Sequence, residues 1–124
     1  MKATKTQIGG THYHKSSYQP IEFISHRNLN FFQGNIVKYV TRHRCKNGKE
    51  DLLKCVHYCE LALELSPASF VDSDMKNNFA DLLVYSEQNK LCEIEHNIIA
   101  SSILNDWKKT KELLNTLIAI DYAD

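Results

Sequence analysis

The sequence predicts an all-α fold, a small helical bundle of about five helices behind an irregular N-terminal Gly-Gly-x-His-Tyr arm. Three observations predict it. Apolar residues recur with the 3.6-residue period in several separate segments. Two of those segments open with the Asn-x-x-Gln or Asn-x-x-Glu pattern of a capping box. No segment alternates apolar and polar residues as a strand with one buried face does.

The elements follow in order. Residues 1–19 lack periodicity and carry Gly9-Gly10, Thr11, His12, Ser16 and Ser17, a loop or extended arm. Pro20 fits the first position of a helix, where its missing N–H leaves nothing unpaired, and Ile21, Phe23 and Ile24 give that helix an apolar side as far as His26. Asn30 caps the next helix with Gln33 as its partner, and Phe32, Ile36, Tyr39, Val40 and His43 form the inner face of a helix running to about Arg44. Gly34 lies inside it and permits close approach of another backbone or a ligand. Asn47 and Glu50 form the second capping box, opening a helix to about Leu65 with Leu52, Leu53, Val56, Cys59 and Leu63 inward. The connection 45–48 is short, so these two helices are expected to be antiparallel neighbours. Pro67 ends the pair. A helix near 73–88 and one or two more between Cys92 and Asp121 complete the chain, with Ile99, Ile103, Trp107, Leu114 and Ile118 as the last apolar stripe.

At 124 residues the chain reads as a single domain. There is no apolar run near the length of a membrane span, and residues 1–10 have two lysines but no apolar stretch, so a secretory signal is not expected. The expected compartment is the cytoplasm, where Cys45, Cys55, Cys59 and Cys92 stay reduced. Net charge is zero, but unevenly placed: residues 1–65 hold ten Lys and Arg against five Asp and Glu, and residues 66–124 hold five against ten. A basic half in a neutral chain points to a local anion site rather than a nucleic-acid footprint. The bland alternative is that opposite halves meet in a homo-oligomer.

Two constellations can carry chemistry. Asn35, Lys38 and Arg42 make one polar stripe at i, i+3, i+7, and Glu50, Lys54 and Tyr58 make another at i, i+4, i+8. Packed antiparallel, the stripes line one groove offering cations for phosphate and an amide edge and ring face for a base. The bland alternative is two solvated charge faces. The second constellation is Gly9-Gly10-Thr11-His12-Tyr13, where consecutive glycines let backbone N–H groups converge on an anion and His12 can donate to phosphate or move a proton. Its bland alternative is a flexible turn. No Walker A run is present. The carboxylate spacing of all-α nucleotide pyrophosphohydrolases, Glu-Glu-x-x-Glu followed by Glu-x-x-Asp, is also missing, although Glu50, Asp51, Glu60, Glu64 and Asp81 leave room for one Mg²⁺ shared with substrate phosphates. Cys55 and Cys59 stand at i, i+4 without a Cys-x-x-Cys pair, so they read as structural rather than as zinc ligands, and His43 and His57 read as core histidines.

Taken together, Gly9-Gly10-Thr11-His12-Tyr13, Gln19-Pro20-Ile21-Glu22-Phe23-Ile24, the run Phe32 to Arg42, the run Lys46 to Lys54 and Tyr58 resemble a phage family of nucleotide-kinase-like proteins that lack a P-loop. The resemblance covers about residues 9–64, leaving 66–124 as an acidic helical extension. It implies binding of a (deoxy)nucleoside monophosphate in the cytoplasm of an infected bacterium and, in one branch, Mg²⁺-dependent phosphoryl transfer. On that footing Lys38, Arg42 and Lys54 neutralise phosphate, His12 assists, Tyr13 or Tyr39 packs on the base, and Glu50 or Asp51 holds Mg²⁺. Gly9, Gly10, Thr11, Asn35 and Tyr58 complete the binding set. Two alternatives use the same basic half. One is a non-catalytic sponge that sequesters a nucleotide signal of host immunity, an anti-defence role needing neither metal nor acceptor. The other is a helical protein that binds a host factor. A homo-oligomer is expected in each case.

Overall fold

The computed structural model describes residues 2–5, 17–65 and 74–123. Among them are six α-helices and no strand: α1 (Pro20–His26), α2 (Phe31–Arg42), α3 (Lys49–Leu65), α4 (Met75–Gln88), α5 (Glu93–Ile103) and α6 (Trp107–Asp121). Single 3₁₀ turns lie at Ala3–Lys5 and His43–Cys45. The all-α expectation holds, and the segment after Cys92 is two helices, the larger of the two numbers allowed for it.

Helix starts follow the sequence closely. Asn30 Oδ1 accepts from the Gln33 N–H at 2.9 Å while Gln33 Oε1 accepts from the Asn30 N–H at 3.0 Å, so two end-of-helix donors are satisfied reciprocally. α3 departs from expectation. It begins at Lys49, and Asp51, not Glu50, accepts the Asn47 N–H, at 3.3 Å. Three helix ends were not legible beforehand. Asn28, Lys90 and Asn105 take left-handed φ of 52°, 55° and 58° just past α1, α4 and α5. Each lets the next N–H reach back to a carbonyl five residues earlier, Leu29 to Ile24, Leu91 to Ser86 and Asp106 to Ser101, the bond that closes a Schellman motif.

α2, α3, α6 and α5 form a closed ring of neighbours around one core, and every neighbouring pair runs antiparallel. Gln33 at the start of α2 donates to the carbonyls of Ser102 and Ile103 at the end of α5, and His43, just past α2, meets Glu95 at the start of α5. Lys111 near the start of α6 pairs with Glu60 late in α3, whereas Tyr122 beyond α6 lies against Gly48 before α3. This is a four-helix bundle whose chain order runs up, down, down, up, with α3 and α5 diagonally opposite, α1 on α2, and α4 against α5 and α1. Ile36, Val37, Val40, Leu52, Ile98, Ile99, Leu114 and Leu117 fill its centre. On α3 the inward residues are Leu52, Cys55, Cys59 and Ala62. Leu53 and Leu63, expected inside, are about half exposed, because the buried stripe follows the i, i+3, i+4 rows of Leu52 and faces both α2 and α6.

Part of the uneven charge is matched inside the chain. Arg27 pairs with Asp74 and Asp81, and Arg44 with Glu95 and Asp121. These two basic residues of the first half meet acidic residues of the second within one molecule. Among the described residues no helix is long and apolar enough to cross a membrane.

Candidate functional site

Tyr39 is the centre of the site. Its neighbours Ile36, Val37 and Val40 are buried, which turns the half-buried Tyr39 ring toward the seam with α3. Three cations gather around that ring: the Arg42 guanidinium carbon at 4.7 Å from its centroid, and the Lys38 and Lys54 ammonium nitrogens at 5.2 Å each. All are within the range of attraction between a cation and an aromatic face. Lys38 and Arg42 come from α2 and Lys54 from α3, so the antiparallel pairing brings the cations together as the two stripes required.

Tyr58 continues the aromatic surface. Its ring is nearly parallel to that of Tyr39, at 17°, with centroids 6.3 Å apart, and Phe31 meets Tyr58 edge-on at 5.7 Å. Phe31 also touches Phe32, which packs on Trp107, so the aromatic surface runs back into the core. Beside these rings an open cleft of about 560 Å³ is lined by Tyr39, Glu50, Leu53, Lys54, His57, Tyr58 and Leu61, a volume suited to a small ligand. The cleft is polar at the α3 N-terminal end, where Glu50 and Lys54 stand. It is apolar and aromatic toward Tyr58 and Leu61.

Several expected residues take other parts. Asp51 is fully buried; its carboxylate accepts from Arg42 Nε at 3.3 Å, from Arg42 Nη2 at 3.2 Å and from the Asn47 N–H. It holds Arg42 and the helix start instead of standing ready for a metal. Lys54 Nζ lies 3.9 Å from the same carboxylate. Asn35 turns its amide back on its own helix, donating to the Phe31 carbonyl at 2.8 Å, a local bond that competes with any ligand. His57, read as a core residue, is exposed and lines the cleft. His43 is buried as expected. Gly9, Gly10, Thr11, His12 and Tyr13 lie outside the described residues.

The Mg²⁺ expectation can be set against this donor set. Glu50 is an exposed carboxylate on the cleft, and Asp51 is turned inward and engaged on both oxygens. Among the described residues no group of three or more His, Cys, Asp and Glu side chains is placed to hold a metal ion. Of the two carboxylates named for Mg²⁺, only Glu50 therefore stands open to the cleft.

Below the site sits a polar cluster that sequence reasoning missed. His43 Nε2 donates to Glu95 at 2.6 Å and its Nδ1 meets the Tyr122 hydroxyl at 2.7 Å. Glu95 also accepts the Cys92 N–H, at 2.9 Å, and Arg44 Nε, at 3.2 Å. Burial opposes the Glu95 charge, but these donors outweigh it and hold the carboxyl at about 2. The cluster ties the end of α2 to the start of α5 and the end of α6. The visible signal was Cys92-x-x-Glu95, which follows capping-box spacing with a cysteine in place of serine.

Residues 8–60 match the model of a family described as a protein of unknown function, DUF3310. The matched stretch nearly coincides with the 9–64 segment singled out above, and it contains both cation-bearing helices as far as Glu60. No curated protein and no solved structure matches the chain.

Proposed function

We propose that the protein binds a nucleotide in the cleft between α2 and α3, with phosphate at Lys38, Arg42 and Lys54 and the base toward Tyr58 and Leu61. The observation that carries this reading is the convergence of three cations on the single ring of Tyr39, beside an open aromatic-walled cleft. Three positive side chains crowded together repel one another, and Asp51 offsets one of them. An anion in the cleft relieves the remainder. Aromatic faces supply the sequence-tolerant stacking that any base accepts.

Binding without turnover fits the cleft better than phosphoryl transfer through it. Phosphoryl transfer depends on positioned charge and a metal bridging the phosphates, and here Asp51, one of the two carboxylates named for that metal, is taken up by Arg42. A binder of this kind serves as a sponge for a nucleotide signal. Titration of the full chain with AMP, followed by calorimetry, tests the reading. Saturable binding that Lys54→Ala weakens supports it. Absence of heat and of competition by any nucleotide, in the presence and absence of Mg²⁺, overturns it. Diphosphate formed from a monophosphate and ATP restores the kinase reading.

A further inference from the structure

Lys38 borders a second concavity. On the α1 side of its helix a pocket of about 230 Å³ is lined by Gln19, Pro20, Ile21, Ile24 and Lys38. Its walls are almost wholly hydrocarbon. Close by, α1 crosses α2 at Gly34, where Ile24 Cγ2 comes within 3.4 Å of the position a Cβ would take. The polar groups of Gln19 are engaged elsewhere, since Nε2 donates to the Thr4 carbonyl at 2.6 Å and the backbone N–H to Glu22 at 3.1 Å. Ile21 is 60% exposed, although it sits at the rim of a ready-made pocket.

Lys38 is therefore shared. Its ammonium stands over Tyr39 on the way to the larger cleft, and its stem walls the smaller pocket. The order across the surface is ring-accepting cleft, cation cluster, ring-accepting pocket. A mononucleotide occupies two of these three. Building on the nucleotide reading, we infer that the preferred ligand is a phosphate-bridged dinucleotide, with its linking phosphates at Lys38, Arg42 and Lys54, one base against Tyr58 and the other between Ile21 and Ile24. Charge and shape both favour this class over a single nucleotide with more phosphates. The anionic bridge lies between two rings, as the cations lie between two apolar hollows. The carboxylates of Asp51 and Glu50 limit how much negative charge the cation cluster accepts. The smaller pocket offers hydrocarbon and no free polar edge, so it takes the second base by its face and does not select among bases.

Calorimetric titration of the full chain with AMP, ADP and diadenosine diphosphate tests the inference. The dinucleotide is expected to bind about tenfold or more tightly than AMP and ADP, as one further stacked base gives. Ile21→Ser, a neutral change at an exposed position, is expected to abolish that advantage while leaving AMP affinity unchanged. Equal affinity for AMP and the dinucleotide, or a dinucleotide advantage that Ile21→Ser does not reduce, overturns the inference and leaves the nucleotide site standing. Binding of none of the three overturns both.

Discussion

Arg42 and Asp51 are joined by two hydrogen bonds across the α2–α3 seam, at 3.2 and 3.3 Å, with Asp51 fully buried and Arg42 nearly so. The pair fixes the guanidinium over Tyr39 and at the same time closes the start of α3. Removing either side strips the other of both of these charge-assisted hydrogen bonds at a largely buried position. Asp51→Ala is expected to destabilise the fold by about 3–5 kcal/mol, measured as a shift of the urea unfolding midpoint at unchanged slope. Arg42→Lys keeps the charge and loses the fork, so its cost is smaller, about 1.5–3 kcal/mol for a charge-assisted bond. A loss for Asp51→Ala within experimental error of zero would show that the pair is not formed in solution.

Ligand affinity is best read at residues that stability does not depend on. Lys54 is partly exposed, and its 3.9 Å approach to Asp51 is a weak pair. Lys54→Ala is therefore expected to leave the unfolding midpoint nearly unchanged, within roughly 0.5 kcal/mol. It should weaken nucleotide binding by about 1.5–3 kcal/mol, measured by calorimetry. Tyr39→Leu keeps an apolar side chain at the seam with α3 and removes the ring, and is expected to cost about 1–3 kcal/mol of binding. Unaltered affinity in both variants would move the ligand elsewhere.

Much of this site was legible before any coordinates, and the reason is periodic geometry. Lys38, Arg42 and Lys54 converge because spacing on a helix fixes their faces and the short turn after Cys45 fixes the pairing. Asn30 and Gln33 cap α2 as their spacing says. What was hidden depends on distance in three dimensions. The role of Asp51 is set by its neighbour Arg42, nine residues away, and nothing in the sequence separated it from Glu50. Likewise, Leu53 and Leu63 read as core because an amphipathic pattern marks which residues are apolar. It does not mark which two faces will be covered when a helix sits between α2 and α6. The cluster around Glu95 joins residues from 43 to 122, a separation that no local pattern reports. Residues 9–13 of the N-terminal arm lie outside the described residues, so their proposed share in the site rests on the sequence alone.

The two described glycines predict opposite outcomes. Gly48 has φ of +56°, and a Cβ there would meet the Tyr122 ring at 3.3 Å. Gly48→Ala is expected to destabilise by about 1–2 kcal/mol from backbone strain. Gly34 lies inside α2 with helical backbone, and a Cβ there touches Ile24 at 3.4 Å, an ordinary contact. Gly34→Ala is expected to stabilise by about 0.5–1 kcal/mol. Thermal unfolding of the two variants in one buffer checks the contrast, and a drop in Tm for Gly34→Ala would mean that α1 and α2 pack more tightly than described.

The four thiols divide two and two. Cys45 and Cys92 are exposed, and Cys55 and Cys59 are buried. Burial pushes both inner thiols up, Cys59 to about 12, which removes the reactive thiolate as well as blocking access. Titration of the native protein with a thiol-reactive chromophore is expected to show two fast equivalents, with two more only after denaturant is added. Four fast equivalents would place α3 outside the bundle core.

The Glu95 cluster predicts a specific loss of stability in acid. Its carboxyl is held at about 2, below its ordinary 4.5, by donors that outweigh the opposing effect of burial. A carboxylate with a depressed folded-state value binds its proton more readily in the unfolded chain. The stabilisation is therefore complete above about pH 4.5 and declines as pH falls toward about 2, at up to about 1.4 kcal/mol per pH unit. Glu95→Gln abolishes this dependence and leaves His43 Nε2 and Arg44 facing a neutral amide. The variant is expected to be less stable than the wild type at pH 7, and the gap should narrow steadily between pH 4.5 and pH 2, measured by urea unfolding at each pH. A gap that stays constant across that range would show that Glu95 carries no depressed titration, and that the three helix ends meeting at His43 are held by packing instead of by charge.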